Sequence, residues 1–211
     1  MHAKSNRRTF VKQSALVGSG LMLAGGGASA HGQALQSDIF EVIRKRRSVR
    51  KFRPTPVPAD HVTKILEAGS FAPTPRNRQA WKFVVVTDRA KINNLRDECI
   101  AAIGEQSKQY FTDYMSAPVY IVILADGKTQ NPGNDLLSGA LAAGYMFLAA
   151  RALGYGTVFC RNSVPEPIAR KVFNIPDDLQ WVCITPIGVP DEWPQTPPKK
   201  DVKELIVQNQ F

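Results

Sequence analysis

Three arginines and a serine fall within five residues at Arg46-Arg47-Ser48-Val49-Arg50. A phosphate needs several fixed donors, and arginine supplies them in a planar fork. The sequence runs a helix from Ser37 or Asp38 into this cluster, which puts Arg46 and Arg50 on one face, four residues apart. Two guanidinium groups on one face repel unless an anion lies between them. The same composition also fits the solvated end of a helix, screened by water and counter-ions. A second cluster, Ala72-Pro73-Thr74-Pro75-Arg76-Asn77-Arg78-Gln79-Ala80-Trp81, sets amides and a hydroxyl on a proline-stiffened loop. Asn77 and Gln79 each offer donors and an acceptor, which suits a ligand edge that alternates the two. Such residues also make ordinary turns.

Other chemistries lack their residues. No G-x-G-x-x-G follows a strand, and neither a G-x-x-x-x-G-K-[ST] loop nor a G-x-S-x-G elbow occurs. The cysteines Cys99, Cys160 and Cys183 and the histidines His2, His31 and His61 show no metal-ligand spacing. With an odd number of cysteines, at least one is free or pairs between chains. Cys160 and Cys183 sit in apolar runs and read as small buried hydrophobes. The formal net charge is +9, but Lys4, Arg7, Arg8 and Lys12 supply four of those charges before residue 31. The mild remaining excess, with the single aromatic Phe52 in the run 44–53, argues against nucleic-acid binding. No apolar stretch of about 18 residues is present to span a membrane.

The elements that must position these clusters alternate helix and strand, so the class is α/β or α+β with one sheet. Helices are expected over 37–45 and onward, 59–68, 88–109, 135–153 and 165–173. Strands are expected over 81–87, 119–125, 155–160 and 181–187. Ile92, Leu95, Cys99 and Ile103 should share the buried side of the third helix. The 135–153 helix is apolar nearly all round, which in a domain this small suggests that another subunit covers one face.

The first thirty residues resemble a twin-arginine export signal. Arg7-Arg8-Thr9-Phe10-Val11-Lys12 is followed by a glycine-loosened apolar stretch, 15–27, and by the small-x-small pattern Ala28-Ser29-Ala30. This implies a signal peptide over 1–30, a domain over 31–211 and a periplasmic location. That route carries folded proteins, so it hints at a cofactor bound before export.

Across 38–206 the motifs follow one order: R-R-S-x-R from Arg46, A-P-x-x-x-N-x-Q-x-W-x-F-V-V-V from Ala72, A-P-V-Y-I-V-I from Ala117, L-A-A-x-x-L-G-Y-G-T ending at Thr157, Ile175-Pro176, and P-I-G-V-P from Pro186. Together they resemble the nitroreductase family of FMN-dependent enzymes. The resemblance implies an α+β sandwich with a mostly antiparallel sheet, an intertwined homodimer and FMN at the subunit interface. It gives Arg46, Arg47 and Ser48 to the phosphate and ribityl chain, and Arg50 to the flavin N1/O2 edge. Pro73, Thr74, Asn77 and Gln79 would come partly from the other subunit. Phe159, Cys160 and Arg161 would pass the dimethylbenzene-to-N5 side, and Lys199, with Lys200, would reach the phosphate. No side chain is assigned as acid or nucleophile, because the flavin carries the chemistry.

The chain departs from the family pattern at Pro75-Arg76, Ala80, Arg161 and Lys199, which bears on substrate preference. The implied activity is two-step hydride transfer from NAD(P)H, or another periplasmic donor, to nitroaromatics or quinones. The alternative is an exported flavoprotein that passes electrons to a protein partner without small-molecule turnover of its own.

Overall fold

A computed structural model describes residues 38–128 and 131–210. The twin-arginine stretch, its cleavage pattern and Ser37 lie outside the described residues.

The central strand explains the architecture. β2 (Val119–Asp126) is buried along nearly its whole length, as its unbroken apolar run requires of a strand covered on both faces. It pairs antiparallel with β1 (Trp81–Val86) on one side and β3 (Leu179–Ile187) on the other. Trp81 lies opposite Ala125 at one end of this sheet, and Val119 lies opposite Ile187 at the other. On one face pack α3 (Arg89–Ile103), α4 (Lys108–Tyr114) and α6 (Glu166–Phe173), around Ile92, Leu95, Phe111, Tyr114 and Ile184. On the other pack α2 (Ala59–Ser70) and α5 (Pro132–Ala152), around Ile65, Ile121, Ile123 and Met146. The result is the α+β sandwich that the sequence implies.

Local chemistry sets the ends of the elements. Asp38 caps α1 (Ile39–Lys45) by accepting from the Phe40 amide at 3.0 Å, and Asp88 caps α3 by accepting from the Ala90 amide at 2.8 Å. Gly69 lets α2 lie against α5, since a Cβ there would meet the Met146 side chain at 2.4 Å. Among the described residues no helix is long and apolar enough to cross a membrane.

Four expectations change. α1 stops at Lys45, and Arg46 is already extended (φ −62°, ψ 135°), so Arg46 and Arg50 do not share a helical face. The basic run is instead extended and is held by single bridges, Ser48 to Thr157 and Phe52 to Pro190. The 88–109 helix ends at Gly104, whose φ of 111° suits glycine alone, and α4 is a separate helix beyond a short 3-10 turn. Ile103, expected inside, is 42% exposed because the helix ends there. Residues 155–160 form isolated bridges rather than a strand: Gly156 pairs Gly188, Cys160 pairs Ile184, and Thr157 pairs Ser48 in parallel. Two glycines flanking that pairing leave little side chain to regularise it.

Candidate cofactor site

The basic run is an extended segment held by isolated bridges. The Val49 amide donates to the Thr157 carbonyl at 3.0 Å, while the Arg53 amide donates to the Val189 carbonyl at 2.9 Å. Gly156 makes this possible, because a Cβ there would stand 2.7 Å from the Val49 side chain. Val49 and Phe52 anchor the segment inward, and Arg50 between them is exposed. Arg46, Arg47 and Ser48 are half-buried. Burial, and then the neighbouring Arg47 charge, lower the Arg46 pKa below the usual guanidinium value. Arg47 donates to the carbonyls of Arg44 at 2.5 Å and Arg46 at 2.6 Å, so part of its fork is already engaged at the end of α1.

Arg151 stands in the last turn of α5 and faces the same charges. Its pKa too is lowered, by burial first and then by Arg47, with Glu41 pulling the other way. Its guanidinium lies 3.7 Å over the Trp193 ring, and its Nε is buried without a hydrogen-bond partner among the described residues. The sequence reading passed over both residues. Asp135 and Arg151 are the only charged residues of α5, but a basic residue in a last turn is ordinary dipole compensation.

The segment 157–161 runs beside the basic strand. The Cys160 amide and the Tyr114 hydroxyl both donate to the Ile184 carbonyl, at 3.3 Å and 3.2 Å. Phe159 is exposed and meets the Phe147 ring edge-on at 6.3 Å. Arg161 turns its guanidinium onto the carbonyls of Trp181 and Val182, and the Trp181 indole donates back to the Arg161 carbonyl at 3.0 Å. Its side chain and its carbonyl are thus both held by β3. Tyr110 also belongs here: burial pushes its hydroxyl up, and the Ser163 hydroxyl and the Arg50 charge draw it back. All three thiols are free and buried. Burial raises Cys99 to about 12 and Cys183 higher still, which fits small hydrophobes rather than nucleophiles.

The amide loop is strained. Arg76, Asn77 and Gln79 have φ of 54°, 56° and 49°, the left-handed region that arginine and glutamine seldom adopt. Thr74 holds the loop, its hydroxyl accepting from the Gln79 amide at 3.1 Å and its carbonyl accepting from the Asn77 amide at 3.0 Å. Arg78 reaches Asp135, nearly fully buried in the first turn of α5, at 3.3 Å. Pro73, Asn77 and Gln79 are exposed.

The two clusters lie at opposite ends of α5. Arg78 holds its first turn and Arg47 faces its last, and Asp135 to Arg151 spans roughly 24 Å of axis at 1.5 Å per residue. One chain brings Arg46, Arg47, Ser48, Arg50, Phe159 and Cys160 together, and leaves Pro73, Thr74, Asn77 and Gln79 at the far end. Lys199 and Lys200 lie exposed on the tail. Trp193 ties that tail to Arg151, which keeps Lys199 within about 20 Å of it.

The profile of the nitroreductase family matches residues 43–189. A 5,6-dimethylbenzimidazole synthase from Rhodobacter capsulatus is 30% identical over 193 residues, covering 78% of this chain and 89% of the relative. An NADH dehydrogenase from Thermus thermophilus is 28% identical over 183 residues, covering 70% of this chain and 84% of the relative. Among solved structures, an FMN-dependent nitroreductase from Clostridium difficile superposes with a TM-score of 0.64 at 28% identity, covering 82% of this chain and 99% of that one.

Proposed function

The chain belongs to the nitroreductase family of FMN-dependent oxidoreductases, and on that premise we propose that the Arg46–Arg50 strand and segment 157–161 hold FMN. One observation carries this reading. Arg47 stands near both half-buried Arg46 and half-buried Arg151, and the carboxylate that faces Arg151, Glu41, is already paired to Lys45 at 2.5 Å. Such a set of donors fits a phosphate dianion.

Bound there, FMN supplies two-electron exchange between a reduced donor and an acceptor of the nitroaromatic or quinone class. The protein's part is to hold and to tune. Arg46, Arg47 and Ser48 bind the phosphate and ribityl chain. Arg50 sets a positive charge at the pyrimidine edge of the ring, favouring the state in which negative charge collects there. The segment Phe159, Cys160 and Arg161 lines the other edge.

Pro73, Thr74, Asn77 and Gln79 complete the site from a second copy of the chain. The reading is supported by the apolar stripe Leu137, Leu141 and Tyr145 on α5, exposed by 64%, 48% and 43% in the single chain. Ile39, Phe40 and Ile43 on α1 are likewise at least half exposed. Lys199 and Lys200 add point charges to the phosphate site from the tail. NAD(P)H is the donor proposed for the isolated enzyme. Export by the Arg7-Arg8 signal would give it a periplasmic donor instead.

The test is the absorption spectrum of the purified protein, then anaerobic titration with NADH and NADPH and re-oxidation by a nitroaromatic or a quinone. A yellow protein with one FMN per chain, bleached by a nicotinamide and recovered by the acceptor, is expected. A colourless protein that cannot be reconstituted with FMN overturns the reading.

A further inference from the structure

We propose that Arg151 is a further phosphate-binding residue of the cofactor site and that Trp193 is its positioning residue. The proposal rests on the FMN reading and adds a cation from an element that the basic motif does not include. Four features support it.

The first is an unmet donor. Arg151 Nε is buried and finds no hydrogen-bond partner among the described residues. A buried donor left unsatisfied is destabilising, so the guanidinium is retained there where an anion answers its charge. The second is an uncompensated charge. Arg151 faces Arg47 as well as Glu41, and Glu41 is engaged with Lys45. The C-terminal dipole of α5 offsets about half a charge and leaves the rest.

The third is orientation. The Trp193 ring lies 3.7 Å from the Arg151 guanidinium carbon, which fixes the plane of the fork. A stacked guanidinium keeps its edge N–H groups for an in-plane acceptor. The fourth is place. From Arg151 the chain turns at Gly154, with φ of 85°, and runs directly into Thr157, the partner of Ser48. Arg47 already gives N–H groups to the Arg44 and Arg46 carbonyls, so a phosphate there needs donors from elsewhere.

The experiment compares FMN with riboflavin, which has the same ring and ribityl chain without the phosphate. The flavin-free full-length protein is titrated with each by fluorescence quenching, for wild type, Arg151→Gln, Arg151→Lys and Trp193→Ala. Arg151→Gln is expected to raise the FMN dissociation constant 10- to 100-fold, on the order of one charge-assisted phosphate contact, and to leave riboflavin unchanged. Arg151→Lys should recover part of the preference, because it keeps the charge and loses the fork. Trp193→Ala should shift the FMN-to-riboflavin ratio in the same direction by less.

An unchanged ratio in Arg151→Gln overturns the proposal, as does an equal loss for both flavins, which marks a structural role. If Arg151→Gln does not fold, Arg151→Lys decides: a wild-type FMN-to-riboflavin ratio there overturns the proposal. Wild type that binds neither flavin overturns the FMN reading itself. The anion site is then judged by thermal shift with inorganic phosphate, which should stabilise wild type and not Arg151→Gln. No shift in wild type overturns the site as well.

Discussion

Arg50 sits between two buried anchors, Val49 and Phe52, so its exposed guanidinium is aimed by the backbone rather than by its own contacts. Its one described hydrogen bond, to the Ser48 carbonyl, is long at 3.4 Å. A charge held this way can act on a ring without being consumed by structure. Arg50→Ala should lower the flavin midpoint potential by about 30 mV, which for a two-electron couple corresponds to roughly 1.4 kcal/mol of lost stabilisation. A redox titration against dyes of known potential reads it, and an unmoved potential removes Arg50 from that role. Arg161 is the contrasting case. The family resemblance sets it beside the flavin ring with Phe159 and Cys160, but β3 carbonyls take its guanidinium. Sequence gives residue type and spacing; it does not say which acceptors a long side chain meets first.

At the scale of elements, the close approach of two chain segments makes the site. Gly156 carries no side chain, and Val49 and Pro190 occupy the space that one would need, at 2.7 Å and 3.0 Å from a Cβ. Gly156→Ala should cost about 1–3 kcal/mol through overpacking, a fall in Tm of roughly 2–4 °C for each kcal/mol. It should weaken FMN binding as well, by displacing the strand that bears Ser48. A scanning melt of the holoprotein and a flavin titration test both parts.

The same contact shows why some of the fold was legible and some was not. β2 and α5 declare themselves by long apolar runs, and α3 by its Asp88 cap and its period. The helical spacing of α1 predicts that the basic run continues as helix, because nothing local stops it. What stops it is tertiary: the Thr157 carbonyl, more than a hundred residues on, takes the Val49 amide. The break at Gly104 was more local, but a glycine in a helical pattern does not reveal a φ of 111°. Arg151 and Trp193 were invisible because a stack between helix and tail leaves no spacing to read.

At the scale of the whole molecule, the proposed site is divided. The basic cluster and the amide loop stand at the two ends of α5, and the face of α5 between them exposes Leu137, Leu141 and Tyr145. A two-fold pairing across that stripe, with α5 antiparallel to its copy, would bring each cluster against the opposite cluster of the other chain. If the chain pairs in this way, Leu141→Glu should convert the dimer to a monomer of about half the mass in light scattering. It should release flavin although Leu141 touches none. A monomer that keeps FMN at wild-type affinity would show that one chain suffices. The amide loop carries its own strain: Arg76 and Gln79 in left-handed backbone cost of order 1–3 kcal/mol each. Contacts made with a second chain in the proposed site would offset that cost.

A site divided along α5 would also make occupancy a function of concentration. When one ligand needs two chains, association and loading are linked equilibria, and each strengthens the other by mass action. Dilution below the subunit dissociation constant should then bleach the protein, and added FMN should draw monomers back together. Colour would report assembly, and a chain that loses its partner would fall silent as an oxidoreductase before it unfolds.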